Sequence, residues 1–133
     1  MALPTVGVGY QVGDGNINEP QLVKFGNVQA ATATATLTTA QILNGILVGN
    51  PSTSAAAYTY PTAAAIDAAL NVPSVGTAVE LKLVNLGTSS GVITLTASTG
   101  VTLSGSATVA ITSSAQIVFV KTADGAYTAY RTA

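Results

Sequence analysis

Short runs in which apolar and polar residues alternate, broken every few residues by glycine, proline or asparagine, constrain this chain most: they suit strands and leave little room for helix. Val79, Leu81 and Leu83 alternate with Glu80 and Lys82, and Ile93, Leu95 and Ala97 with Thr94, Thr96 and Ser98. Successive side chains of a strand point to opposite faces, so each run has one face for a core and one for solvent. Leu86-Gly87-Thr88-Ser89-Ser90-Gly91 reads as the loop joining these two runs in a hairpin. Short strands follow at Val101–Leu103 and Thr108–Thr112. The last pair, 116–122 and 126–131, turns around Asp124-Gly125, a strong two-residue turn signal. Ile117-Val118-Phe119-Val120 is apolar on both faces, the mark of a central strand or of one covered by a partner subunit.

Upstream, Ala30 to Leu37 alternates alanine with threonine and suits a strand of little bulk. Thr38 or Thr39 can cap a helical turn through Ala40–Leu43, with Asn44-Gly45 as a left-handed exit. Ile46-Leu47-Val48 is extended again, and Tyr58 and Tyr60 fall on one face of a further strand. Thr62 can cap Ala63–Leu70, in which Ile66 and Leu70 share an edge. A helix of about nine residues is unstable alone, so it must dock by that edge. Residues 1–30 hold Gly7, Gly9, Gly13, Gly15 and Gly26 with Pro4 and Pro20, and read as an extended arm. Within the arm Val6, Val8, Tyr10 and Val12 alternate with other residues, a pattern suited to a strand laid along a partner. The expected architecture is all-β: an antiparallel β-sandwich or jelly-roll-like barrel of about eight strands over residues 31–133, with two short helical turns.

Composition narrows the chemistry. The 133 residues include no His and no Cys, and only 7% are charged against 48% hydrophobic. Histidine, cysteine and clustered carboxylates carry most acid–base, nucleophilic and metal chemistry, so the chain is not expected to be an enzyme or to hold a metal or cofactor. Lys24, Lys82, Lys121 and Arg131 are scattered, so there is no basic patch for nucleic acid. No apolar run approaches the roughly 18 to 20 residues of a spanning helix, and Met1–Gly7 does not resemble a secretory signal, so synthesis in the cytoplasm is expected. A formal net charge of −1 gives weak repulsion between copies, which favours an assembly.

Individual candidates are weaker. Asp14, Asn16 and Asn18 begin like a calcium loop, but Glu19 stands at the sixth position and Phe25 at the twelfth, so the pattern fails. Gly7, Gly9 and Gly13 lack the strand and helix that a phosphate loop needs. Glu80 and Lys82 suit an exposed pair worth at most about 1 kcal/mol. Asp67 has no second carboxylate near it in sequence. Tyrosines can form a sugar platform, although Tyr58 and Tyr60 more often belong to a core or interface.

The order of several segments carries more than any one of them. Leu37-Thr38-Thr39-Ala40-Gln41-Ile42-Leu43-Asn44-Gly45-Ile46 precedes Tyr58-Thr59-Tyr60-Pro61-Thr62-Ala63-Ala64-Ala65-Ile66-Asp67-Ala68-Ala69-Leu70; then come Val75-Gly76, the run from Glu80 to Asn85, Thr94-Leu95-Thr96, Gly100-Val101-Thr102-Leu103 and Gly105. With Gly13–Glu19 ahead of it, this order, over about residues 10 to 122, resembles a module of structural proteins of tailed bacteriophages, particularly those of cyanobacteria and other aquatic bacteria. The resemblance implies a capsid decoration (cement) protein on the exterior of the virion, often a homotrimer, that binds the major capsid protein and holds its subunits against internal pressure. It brings no catalytic residues. The arm residues Val6, Val8, Tyr10 and Val12 are the inferred capsid contacts, and Val118 and Val120 the inferred subunit contacts. A tail-fibre or receptor-binding domain, touching glycans through loops near Ser89-Ser90 and through tyrosines, is the alternative, followed by a cell-surface assembly subunit.

Overall fold

The structure, a computed structural model, describes residues 26–133. Ten strands and two short helices follow in the order β1 (Gln29–Ala31), β2 (Ala35–Thr36), α1 (Thr39–Leu43), β3 (Ile46–Gly49), β4 (Ala56–Thr59), α2 (Ala63–Ala69), β5 (Ala78–Asn85), β6 (Ile93–Thr96), β7 (Val101–Ser104), β8 (Thr108–Val109), β9 (Ser114–Ala123) and β10 (Ala126–Arg131). About eight strands are expected and ten are found among the described residues, one of the added ones arising where the alanine–threonine run from Ala30 to Leu37 bends into β1 and β2.

The chain passes from one sheet to the other at every step as far as β8. One sheet has six strands in the order β1-β3-β5-β9-β10-β7, and the other four in the order β2-β4-β6-β8. Strands two apart in sequence therefore lie side by side and parallel: β1 with β3, β3 with β5, β2 with β4, and β4 with β6. β7 is also parallel to its neighbour β10, whereas β5 with β9, β9 with β10, and β6 with β8 are antiparallel. Both sheets are mixed, which corrects the expectation of an antiparallel arrangement, and neither closes into a barrel. The physical reason lies in the short loops. Residues 32–34, 50–55 and 86–92 do not turn back on their own sheet but arch across to the other, so the segment 86–92, expected to close a hairpin, joins strands of different sheets.

Local signals decide the rest. Thr38 caps α1 in a reciprocal box, its hydroxyl accepting from the Gln41 amide at 3.2 Å while the Gln41 side chain accepts from the Thr38 amide at 2.8 Å. Gly45 leaves the helix with φ 92°, the left-handed conformation that glycine adopts at little cost. Thr62 caps α2 through the Ala65 amide at 3.2 Å. The β9–β10 hairpin turns at Asp124-Gly125 as expected, with Ala123 facing Ala126.

One buried cluster draws on both sheets. Leu81, Leu83, Ile117 and Phe119 face it from the six-stranded sheet, Tyr58, Ile93, Leu95 and Val109 from the four-stranded one, and Ile42 and Ile66 from the helices. Fully burying each large apolar side chain contributes about 1.5–3 kcal/mol, which far exceeds any propensity of helices of five and seven residues and holds them in place. Tyr60 packs edge-on against Phe119, ring centroids 4.9 Å apart at 80°.

Candidate functional surface and internal ties

The sheet parity that fills the core also defines the outer face of the six-stranded sheet. On β9, Ile117, Phe119 and Lys121 are buried, while Val118 and Val120 between them are half-buried and point the other way. Val118 lies opposite Glu80 on one side and Tyr130 on the other, and Val120 opposite Ala78 and Thr128. Both inferred subunit contacts therefore sit at the middle of one face of the six-stranded sheet. Glu80 and Lys82 stand on the same face as expected, 3.6 Å apart and half-exposed, and Gln116 donates to Glu80 at 2.7 Å. A shallow, mostly apolar recess of about 260 Å³ opens at the Val84 end of the face, between Val84 and Gln116. The inferred capsid contacts Val6, Val8, Tyr10 and Val12, and the failed calcium pattern from Asp14 to Phe25, lie outside the described residues.

Two polar side chains sit where the strand parity demands apolar ones, and both tie the fold together. Asn85 continues the inward series Leu81, Leu83 and is fully buried. Its side-chain amide donates to the carbonyls of Gly91, Val109 and Ala110, each at 3.0 Å, and its side-chain carbonyl accepts from the Gly87 amide at 2.8 Å. One residue thus clamps the 86–92 arch to the end of β8. A second arch joins the same end, where Thr88 donates to the Ser52 carbonyl at 2.8 Å. The packing leaves no space at Gly91, where a Cβ would stand 2.2 Å from the Ser52 carbonyl oxygen. Ser52, Ser89 and Thr112, one in each of the three loops at this end, all have positive φ.

Lys121 continues the inward series Ile117, Phe119 and is 1% exposed. Its ammonium lies 3.1 Å from the Asp67 carboxylate on α2 and donates to the Pro73 carbonyl at 2.9 Å. The Tyr127 hydroxyl on β10 donates to the same Asp67 oxygen at 2.7 Å. The three side chains tie α2 and the 71–76 segment to the middle of the six-stranded sheet. That segment carries Asn71 and Val72 at φ 56° and 48°, and for a β-branched residue this is a strained conformation that the surrounding ties must hold.

The Tyr127 hydrogen bond holds the Asp67 carboxyl below the ordinary carboxylate range, against the opposing effect of burial and with the help of Lys121. Burial pushes the phenols of Tyr58, Tyr60 and Tyr127 above their ordinary range, and at Tyr127 the Asp67 carboxylate adds to the effect. For Asp67 the folded value is the lower one, so its contribution to stability is present above about pH 4 and disappears as pH falls through the folded value. For the three phenols the folded value is the higher, so their contribution is complete below about pH 10 and is lost as pH rises toward the folded values. Melting temperature is therefore expected to hold a plateau between about pH 5 and pH 9 and to fall on both sides, and phenolate absorbance of these three tyrosines should appear only together with unfolding. Normal ionisation of all tyrosines in the folded protein at pH 10 to 11 would contradict this.

The tyrosines also bear on the sugar-platform reading. Tyr58, Tyr60 and Tyr127 are buried, with Tyr58 donating to the carbonyls of Ala31 and Thr32, so none of them is placed to stack on a glycan. Tyr130, on the outer sheet face, is 42% exposed. Sequence reasoning missed both Asn85 and the Asp67–Lys121–Tyr127 tie, although a polar residue at a core parity was the signal for each. Among the described residues no group of three or more acidic side chains comes together to hold a metal ion, and no helix is long and apolar enough to cross a membrane. Comparison with protein-family models, curated proteins and solved structures finds no match to this chain.

Proposed function

We propose that this chain is a virion structural protein that decorates a tailed-phage capsid, binding the outer surface of the major capsid protein and reinforcing it as a homo-oligomer, a trimer if it follows the habit of the proteins it resembles. In this reading the two sheets are the layers of a β-sandwich that carries the arm. One observation supports the reading most: the segments that bear the resemblance coincide with the parts that organise the fold. They hold the Thr38–Gln41 box, the Thr62-capped helix with Asp67, the strand ending in Asn85 and the β6 and β7 strands. Residues that build a scaffold are what a reinforcing protein and its relatives would have in common. The buried Asn85 and Lys121 are likewise engaged in holding loops and a helix, as a component under mechanical load requires.

Attachment falls to the arm, whose Val6, Val8, Tyr10 and Val12 can add a strand to a sheet edge on the capsid, with main-chain hydrogen bonds supplying affinity and alternate side chains filling pockets. Several such contacts per oligomer multiply modest affinities. Deleting residues 2–12 is expected to spare the β domain, whose first described strand begins at Gln29, and to weaken binding to undecorated heads severalfold or more. Circular dichroism reads the first effect and co-sedimentation with heads the second. Heads that retain the truncated protein as well as the full chain would remove the arm from this role.

A further inference from the structure

We infer that a second copy of this chain covers the outer face of the six-stranded sheet. The inference rests on the homo-oligomer in the proposal above, makes its contact a two-fold one between like faces and so gives an even number of copies in place of three, and does not depend on a capsid. Three observations carry it.

Strand β9 is apolar on both sides: Ile117 and Phe119 face the core, and Val118 and Val120 face outward at the centre of the sheet. Tyr130 beside Val118 is 42% exposed, and tyrosine is a residue type enriched in interface cores. Such a row of apolar and aromatic side chains in mid-sheet is what the inside of an interface requires.

The charge on the face suits a copy of itself. Glu80 and Lys82 are the charged residues whose strand parity puts them on this face, they have opposite signs, and they stand next to each other. A strongly charged partner would find no complement here, whereas a copy meets a neutral face. The net charge of −1 for the whole chain adds almost no repulsion.

The area is sufficient. The six strands, of 3, 4, 8, 10, 6 and 4 residues, rise about 3.3 Å per residue and lie about 4.8 Å apart, so the whole face is on the order of 500 Å². Two such patches bury about 1,000 Å², the lower end of what a specific protein–protein contact needs.

The experiment is sedimentation of the purified full chain at micromolar concentration, beside a Val118→Lys/Val120→Lys variant and a Val118→Thr/Val120→Thr variant. Threonine keeps the β-branched shape and so protects the sheet should lysine disturb it. The native chain is expected to sediment as a defined oligomer. Both variants should melt as cooperatively as the native chain and dissociate at least tenfold more readily, lysine more so than threonine. A Val72→Ser variant, altered in a 68% exposed residue away from this face, should leave the oligomer unchanged. A native monomer would overturn the inference, and so would an oligomer that folded Val118/Val120 variants leave intact. A native oligomer that does not bind undecorated heads would instead count against the decoration reading and leave this inference standing.

Discussion

Replacing Asn85 with alanine is expected to destabilise the protein by about 3–5 kcal/mol, because four hydrogen bonds of one buried side chain, each worth a net of about 0.5–1.5 kcal/mol, are lost together. They run to the Gly91, Val109 and Ala110 carbonyls and from the Gly87 amide, and of these the Ala110 carbonyl keeps a bond from the Ser113 hydroxyl. Asn85→Asp should be worse, although it is nearly the same shape. A carboxylate has no hydrogen to offer three carbonyl oxygens at 3.0 Å, and burial penalises its charge. Denaturant unfolding measures both, with the order native, alanine, aspartate. An alanine variant within 1 kcal/mol of native would mean that the arches hold themselves in place and that Asn85 only fills space.

The second large effect is an asymmetry between two partners of one ion pair. Removing Asp67 leaves the Lys121 ammonium 1% exposed with only the Pro73 carbonyl beside it, whereas removing Lys121 leaves a carboxylate that is 15% exposed and still bonded to Tyr127. Stranding a buried charge costs far more than losing the pair as a whole. Asp67→Ala should therefore lower the melting temperature by roughly 10 °C or more, and Lys121→Met by much less. The double variant should recover most of the loss, since an apolar side chain then replaces the pair. Additive losses would show that the two residues act independently.

The strands were legible in the sequence because a two-residue period is a local property: the faces of β5, β6 and β9 follow from counting alternate residues. Their neighbours were not. A hairpin and an arch between sheets both need a short run of Gly, Ser and Thr between two alternating strands, so Leu86–Gly91 gives the same signal for either. What distinguishes them is Asn85, whose bonds reach 24 and 25 residues along the chain to Val109 and Ala110, and no local pattern reports that. Lys121 was likewise visible only as a scattered cation, because its partner Asp67 is 54 residues away on another element. Val118 and Val120 were legible as surface candidates for the opposite reason: their exposure follows from parity alone.

The alternation between sheets also orders events during synthesis. The turns from β1 to β6 bring together strands that are near in sequence, and these contacts can begin as the chain emerges. The middle of the larger sheet cannot, since β5 waits for β9 to arrive and pair from Ala78 with Val120 to Val84 with Ser114, 30 residues or more later. Until then β5 presents a long unpaired edge, which nascent chains on neighbouring ribosomes share. Acquisition of the native state is therefore a late, nearly all-or-none event set by the last quarter of the chain, and a ribosome that stalls short of β9 releases a product prone to aggregate rather than a smaller folded protein.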